Sequence, residues 1–128
     1  MDIEVQETTI GVIVFKIEDG ILFFSFTPNA IYEEDNSKRV IANLRELIGD
    51  VKIPVFVDGT NLLSMSAGAR TYHTSSEGTH NIKATAILAN SLMAKVTATL
   101  YMGLNKPPQP TRVFTDKQEA FAWLQQYK

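Results

Sequence analysis

The chain has 128 residues, no cysteine, a formal net charge of −2 and a pI near 5.6. The mild acidity disfavours nucleic acid or an anionic membrane as a partner, because both attract basic proteins. The lack of cysteine excludes disulfides, thiol catalysis and thiolate metal ligands. A chain of this length folds as one domain with an adequate core.

The N-terminal stretch 1–7 is acidic and polar, unlike a secretory signal peptide. No apolar run approaches the roughly 18–20 residues that span a bilayer. We therefore expect a soluble, cytoplasmic, single-domain protein covering residues 1–128, with no membrane insertion.

The first elements predict an antiparallel hairpin. Residues 11–17 and 21–26 are rich in β-branched and aromatic side chains, which favour strands. Residues 18–20, Glu-Asp-Gly, predict the turn between them, because glycine and the aspartate before it tolerate positive φ. The residues around Thr9 either extend the first strand or form an edge.

A helix and a parallel strand are predicted next. Apolar residues recur at helical spacing over 33–48, acidic residues fill the first turn, and Gly49 ends the pattern. The apolar stretch 53–58 then predicts a buried strand. Because a helix separates this strand from the hairpin, we expect it to run parallel to a neighbour.

The second half predicts alternating helices and strands. A weak helix extends from Ser66 to about Glu77, with Ala69, Tyr72 and His73 as inward candidates; Gly68 and a Thr-Ser-Ser run lead us to expect fraying. A strand over 83–89 follows.

Two further helices complete the pattern. The first covers 92–102, with Asn90-Ser91 as its cap, Val96 and Leu100 towards the core, and Gly103 as its end. After a proline-rich connector and a strand at 111–114, Thr115 and Gln118 form a capping box that opens the last helix. The predicted order is β-β-α-β-α-β-α-β-α, an α/β fold.

Polar residues follow two of the predicted strands, where open α/β sheets place their working surface. Asp58 is compatible with a metal ligand, a general base or the edge of a binding site. The commoner alternative is a turn in which its carboxylate accepts backbone N–H bonds from residues 59–61. The interaction or ligand candidates are Asp58, Asn61, Ser64, Ser66, Arg70, Asn90 and Ser91.

The two serines before the second helix have two interpretations. Free N–H groups at a helix start favour phosphate or another anion, and either Ser64 or Ser66 is a possible phosphorylation site. N-capping is the commoner use of serine there. Arg70 can bind a carboxylate or phosphate with two hydrogen bonds, although an intramolecular role is commoner.

The sequence contains no recognisable catalytic or metal-binding motif. His73 and His80 are seven residues apart and lack the i, i+4 spacing of a helical metal pair, although Glu77 stands at i+4 from His73. The G-x-S-x-G, G-x-G-x-x-G and Walker patterns are missing. We therefore predict no metal site, no cofactor and no enzymatic activity.

Six stretches, together with the element order, carry a family resemblance: Val55-Phe-Val-Asp58, Ser66-x-x-Ala69-Arg70-x-Tyr72, Ala86-Ile-Leu-x-Asn90-Ser91, Gly103-Leu-Asn-Lys-Pro107, Arg112-Val-Phe-Thr115 and Ala120-x-x-Trp123-Leu124. With them the chain resembles the SpoIIAA-like, STAS-type fold, which includes anti-sigma-factor antagonists, and more closely small uncharacterised bacterial STAS-like domains. The resemblance implies a mixed β-sheet with an N-terminal antiparallel hairpin and about four helices.

One departure bears on function. Antagonists of this family carry an Asp-Ser pair at the start of the second helix, and a partner kinase phosphorylates that serine. Here Ser66 stands at the position of the aspartate and Ala67 at that of the phosphoserine. The family's phosphorylation switch therefore does not carry over.

The sequence leaves two functions open. The first is a non-enzymatic interaction or regulatory module with an unknown protein partner, and a second copy of the chain in a homodimer is one candidate. The second is a carrier or sensor of a small apolar or lipid-like ligand, which related lipid-transfer domains suggest. The carrier needs a cavity between sheet and helices, for which Ala84, Ala86, Ala89, Ala94 and Ala98 leave space. The same alanines equally allow close packing.

Overall fold

A six-stranded mixed sheet forms the centre of the computed structural model, which describes residues 3–128. The first two residues of the acidic N-terminal stretch, used above against a signal peptide, lie outside this range. In chain order the elements are β1 (Val5–Ile10), β2 (Ile13–Glu18), β3 (Ile21–Phe26), β4 (Ala30–Tyr32), α1 (Glu34–Ile48), β5 (Ile53–Asp58), β6 (Leu62–Met65), α2 (Ala67–Thr74), β7 (Ile82–Leu88), α3 (Leu92–Leu100), β8 (Thr111–Phe114) and α4 (Lys117–Leu124).

The predicted hairpin is confirmed. β2 and β3 pair in antiparallel register, with Glu18 opposite Ile21 across the turn. Asp19 and Gly20 have φ of 53° and 74°, the left-handed values that a tight two-residue hairpin turn requires. Residues before Gly11 form a separate edge strand, β1, antiparallel to β2.

The rest of the sheet is parallel, as predicted for the strand at 53–58. The spatial order is β1-β2-β3-β5-β7-β8, and β3, β5, β7 and β8 run in the same direction. Consecutive strands of this part are joined through helices, which parallel pairing demands. Their carboxyl ends therefore meet at one edge of the sheet.

Two short strands were not predicted. β4 and β6 pair in parallel with each other and form a second, two-stranded sheet. With three and four residues, neither shows enough alternation to reveal a strand in the sequence. The observed order, β-β-β-β-α-β-β-α-β-α-β-α, corrects the predicted one at these strands and at β1.

The helices are divided between the two faces of the sheet. Side chains alternate along a strand, so Val55 and Phe56 on β5 face opposite sides. Val55 belongs to the cluster that includes the buried face of α1 and Ala69 of α2, and Ala94 and Ala98 of α3 pack beside Ile87 of β7. The opposite face packs against α4 through Phe56, Ala86, Leu88, Ala120 and Leu124.

The predicted orientation of α3 was wrong. Val96 and Leu100 are 47% and 37% exposed, whereas Ala94 and Ala98 are buried against the sheet. The helix also does not end at Gly103, because it continues as one π-helical turn, Tyr101–Asn105. Hydrophobicity alone misassigns this helix, since its small residues face the sheet and its large ones face solvent.

The observed end of α2 and the observed N-cap of α4 also differ from the prediction. α2 ends at Thr74, before the predicted end near Glu77. α4 has Asp116 as its N-cap instead of Thr115: its carboxylate accepts a 2.8 Å hydrogen bond from the Gln118 backbone N–H. Within residues 3–128, no helix combines the length and apolar character needed to cross a bilayer.

Candidate functional site

The predicted polar residues at the strand ends mainly organise turns. The Oδ1 atom of Asp58 accepts a 3.0 Å hydrogen bond from the Thr60 backbone N–H and lies 2.5 Å from the Thr60 hydroxyl. That hydroxyl is also 2.9 Å from the side-chain oxygen of Asn90. Asp58 therefore has the geometry of the turn-forming alternative, and Thr60 joins it to Asn90.

Two of the three candidate serines cap helices, and the third is exposed on a strand. Ser66 and Ser91 are the N-caps of α2 and α3, and each side chain accepts a 3.1 Å hydrogen bond, from the backbone N–H of Ala69 and Ala94 respectively. This is the commoner of the two predicted roles. Ser64 is exposed and lies on β6, so it is not part of a helix start.

Asn61 and Arg70 also have intramolecular partners. Asn61 donates from Nδ2 to the Phe26 carbonyl oxygen at 3.2 Å. Arg70 donates to the Met65 carbonyl oxygen at 3.1 Å and to the Asn105 side-chain oxygen at 3.2 Å. Among the seven candidates, within the described chain, only Asp58 and Asn90 share a side-chain hydrogen-bonding partner.

The histidines have separate surroundings. His80 lies at the surface, with Nε2 2.7 Å from Oδ1 of Asp50, and this contact lowers the pKa of the aspartate. The His73–Glu77 pairing is not formed, since His73 turns towards Tyr32 and Glu77 accepts a hydrogen bond from the Tyr72 hydroxyl. From residue 3 onward, no three His, Cys, Asp or Glu side chains are grouped as metal ligands would be.

A mainly apolar cavity lies between the sheet and helices α1, α2 and α3. It leaves about 120 Å³ open to the centres of water-sized molecules. One water centre needs about 10–15 Å³, so the space is sufficient for a small organic molecule. Its walls include Phe15, Leu22, Phe24, Phe26, Val40, Ile41, Leu44, Val55, Val57, Leu62, Met65, Ile82, Ile87, Ala94 and Ala98.

Small residues on one side of the sheet leave this space open. Ala94 and Ala98 place only methyl groups opposite the strands, and both line the cavity. Gly78, another lining residue, lies so close to the Tyr72 carbonyl that an added Cβ would overlap it. Of the five alanines named from the sequence, Ala86 packs instead on the opposite face, against α4.

One polar pair in the wall is His73 with Tyr32. The Tyr32 hydroxyl lies 2.5 Å from Nε2 of His73, and the two rings stack at an interplanar angle of 28°. Burial lowers the pKa of His73 to about 4 and raises the pKa of Tyr32 well above its usual value. At neutral pH both groups are uncharged, and the hydroxyl is positioned to donate to the imidazole.

A second polar group combines Gln109, Thr85 and Tyr101. Gln109 donates from Nε2 to the Thr85 hydroxyl oxygen at 3.0 Å, while its Oε1 is buried without a partner among the described residues. Burial raises the pKa of Tyr101 to about 12, against a smaller opposing effect of the neighbouring Gln109 amide. All three residues line the cavity, and within the described part of the chain no Asp, Glu, Lys or Arg lines it.

The sequence had indicated only part of this cavity. His73 was predicted to face inward, and Ala94 and Ala98 were among the residues expected to leave space. Gln109 carried no usable signal, because it stands in a proline-rich connector between Pro108 and Pro110. Tyr32 belongs to β4, one of the two strands that the sequence did not reveal.

A family model and two solved structures are similar to this chain. A family model described as a domain of unknown function, DUF7793, matches residues 15–128. No curated protein matches the chain. A crystal structure from Shewanella loihica PV-4, of an uncharacterised DUF3478-family protein with a SpoIIAA-like fold, is similar: it has 20% sequence identity, covers 91% of this chain and 97% of that chain, and gives a TM-score of 0.61.

A second structure, of a protein with unknown function from Arthrobacter sp. FB24, is 25% identical over 91% of this chain and 94% of that chain, with a TM-score of 0.33. The Shewanella structure confirms the SpoIIAA-like architecture predicted from the sequence. The chain therefore belongs to the DUF7793 family of domains of unknown function, and its fold is SpoIIAA-like.

Proposed function

We propose that this protein binds a small apolar molecule in the cavity beneath α1, α2 and α3, as a carrier or sensor. The observation that carries the proposal is the cavity itself, about 120 Å³ in volume and lined mainly by aliphatic and aromatic side chains. Small-molecule sites in proteins have this character, with apolar walls and a few polar groups that fix orientation.

The cavity favours binding because its apolar surface is already assembled. A ligand that fills it removes apolar area from water, which is worth roughly 0.8 kcal/mol for each buried CH₂ group. The walls belong to a sheet and helices whose backbone hydrogen bonds are made without the ligand, so little ordering opposes binding.

The proposal is one of binding without turnover. The Nε2 atom of His73 is occupied by the Tyr32 hydroxyl, and the lining residues include no carboxylate or amine. A general base needs a free nitrogen or oxygen within reach of the substrate proton. Neutral, mutually bonded groups are better suited to orienting a ligand than to moving its protons.

Native mass spectrometry of the protein purified from its own host tests this function. We expect a small bound mass that dissociates on denaturation and is lost in Ala98→Leu, which adds three carbon atoms inside the cavity. The matched control is Val96→Leu, on the exposed side of the same helix.

Two outcomes would contradict the proposal. One is a mass free of ligand for the host-purified wild type. The other is the same bound mass in a folded Ala98→Leu variant, which would place the ligand elsewhere.

The second candidate function is an interaction module that binds another copy of this chain. It is favoured by apolar side chains that α3 and the following π-helical turn leave exposed: Leu92 (77%), Val96 (47%), Leu100 (37%) and Leu104 (70%). Leu92, Val96 and Leu100 recur every four residues and therefore share a helix face. Most soluble oligomers are symmetric homo-oligomers, so a second copy is the partner to test first.

Sedimentation equilibrium tests this candidate. A dimer in the wild type that becomes a monomer in Val96→Asp supports it, with Val113→Asp on β8 as a control at another exposed apolar position. A wild-type monomer across the concentration range contradicts it. A protein partner that docks at the carboxyl edge instead would meet the exposed Asn61, Ser64 and Asn90.

A further inference from the structure

We propose, on the basis of the function proposed above, that the cavity selects an uncharged molecule with a hydroxyl or N–H group that donates to Oε1 of Gln109. A small phenol or alcohol has this chemistry, and a fatty acid or other carboxylate does not. Three observations support the inference: the lack of charge in the walls, the unpartnered amide oxygen and the donor beside it.

The walls give no counter-charge to an ionic ligand. Among residues 3–128, none that lines the cavity is Asp, Glu, Lys or Arg. His73 is the one basic side chain in the lining, and burial keeps it neutral at physiological pH by lowering its pKa to about 4. A buried charge without a partner is strongly disfavoured, so a ligand that binds here is neutral.

Gln109 supplies an acceptor that the described protein does not use. Its Oε1 atom is buried and has no hydrogen-bonding partner between residues 3 and 128. Buried carbonyl oxygens are nearly always paired with a donor, so an unpaired one in a cavity wall indicates a missing partner. The Nε2 atom of the same amide donates to the Thr85 hydroxyl oxygen at 3.0 Å, and the amide also lies beside Tyr101.

Thr85 completes a complementary pair of groups. Its oxygen accepts the bond from Gln109, and a hydroxyl retains one proton that it can donate. A ligand hydroxyl would therefore donate to Oε1 of Gln109 and accept from Thr85. A methyl group would satisfy neither site. A methoxy group, which can only accept, would satisfy Thr85 alone.

Titration with four aromatic probes of similar size tests the inference. Toluene matches phenol in shape and lacks the hydroxyl, anisole offers only an acceptor, and benzoate is charged. Binding is followed by NMR in wild type and in Gln109→Leu, with the side-chain amide signal of Gln109 as a second readout. We expect phenol to bind with about tenfold preference over toluene and anisole, a difference of 1.4 kcal/mol.

Gln109→Leu distinguishes the inference of a hydrogen-bond-donating ligand from the proposed binding of apolar molecules in general. Gln109→Leu should remove the preference for phenol, leave toluene binding intact or stronger, and exclude benzoate as the wild type does. In the wild type, phenol should shift the Gln109 amide signal and toluene should not, a result that does not depend on the variant folding.

Each contrary result has a distinct meaning. Binding of toluene and phenol with equal affinity in wild type and variant would overturn the donor inference and leave the apolar carrier standing. Preference for anisole would overturn the inference of a donating ligand, because anisole can only accept a hydrogen bond. Preference for benzoate would overturn the inference that the ligand is uncharged. Failure of all four probes to bind the wild type would overturn both the inference and the proposed function.

Discussion

The two faces of the central sheet are packed differently although they share the same strands. On one face, α4 packs tightly against β5 and β7, and the rings of Phe23, Phe56 and Phe121 form a triangle with centroids 4.8 to 6.1 Å apart. On the other face, α1 to α3 leave a cavity of about 120 Å³. We call these the filled face and the cavity face.

Small residues at the contact between helix and sheet do not by themselves distinguish the two faces. Both α3 and α4 bury alanines, Ala98 and Ala120. On the filled face Ala120 belongs to the same cluster as Phe56 and Phe114, and Phe23 and Phe121 pack against that cluster. On the cavity face α3 buries only Ala94 and Ala98, with its larger side chains turned to solvent. Large residues facing outward therefore leave room inside.

The largest expected effect is that of a large-to-small substitution on the filled face. Phe56→Ala removes a ring that is 3% exposed and touches two other rings, and should lower the free energy of unfolding by about 3–5 kcal/mol. The matched variant on the cavity face is Phe24→Ala, whose ring packs against Phe26, Tyr32 and His73 but also borders the cavity. A ring surface that faces empty space makes no contacts there to lose.

Urea denaturation of both variants measures this contrast. The loss should be smaller for Phe24→Ala than for Phe56→Ala. Equal losses would mean that the cavity face is as closely packed as the filled one, and would count against a preformed ligand site.

The next effect is a dependence of stability on pH that belongs to the cavity face alone. Burial holds the pKa of His73 at about 4 in the folded protein, against 6.5 when it is exposed. Between these values the unfolded chain binds a proton that the folded protein does not. The His73 contribution to stability is therefore fully present above pH 6.5 and is lost as the pH falls towards 4, by about 3 kcal/mol in total.

His73→Gln isolates this contribution from that of the carboxylates. The difference in unfolding free energy between wild type and variant should change across pH 6.5 to 4 and stay constant above it. His80→Gln, at the surface, should retain the His73 slope, and NMR titration should give the folded pKa directly. A wild type and His73→Gln with parallel pH profiles would show that His73 is not buried in its neutral form.

Small-to-large substitutions should separate the faces in the opposite sense. Ala120→Leu forces a larger side chain into the filled face and should cost about 1–3 kcal/mol. Ala98→Leu places the same side chain into the cavity, so it should cost less or add stability while it blocks the ligand. Thermal unfolding of both variants, with and without the host ligand, checks this. A larger loss for Ala98→Leu would contradict the presence of usable space.

The sequence predicted the strands of the main sheet and helices α1 and α4 better than it predicted α3. Long apolar runs and clear helical patterns identified β2, β3, β5, α1 and α4, whose burial follows from their hydrophobicity alone. The cavity exists because no large side chain of α3 fills the space between this helix and the sheet. Since Val96 and Leu100 are larger than Ala94 and Ala98, periodicity assigned the wrong side of α3 to the core.

The polar groups of the cavity were the least predictable. Tyr32 meets His73 across 41 positions of sequence, and Gln109 meets Thr85 across 24. No local pattern links such residues, because their proximity results from the assembled sheet. By contrast, the capping roles of Ser66 and Ser91 are local. The sequence predicted capping as the commoner role for Ser66 and predicted Asn90-Ser91 as the cap of α3.

The smallest effect concerns the N-caps of the helices on the two faces. Ser66→Ala removes the cap of α2, and Asp116→Ala removes that of α4. Each should cost about 1 kcal/mol, because one backbone N–H at the helix start loses its acceptor. Only Ser66→Ala should also weaken ligand binding, since α2 carries His73 into the cavity wall. Ser64→Ala, on the exposed part of β6, is the control and should change neither stability nor affinity.

Chemical denaturation measures the stability of these three variants, and a ligand titration measures their affinity. If Ser64→Ala weakened binding as much as Ser66→Ala, the exposed serine itself would contact the ligand or partner, and the interaction surface predicted from the sequence would gain support over the cavity. If Asp116→Ala weakened binding equally, the two faces would be coupled through the sheet. The cavity face would then not be the independent unit that its packing against separate helices indicates.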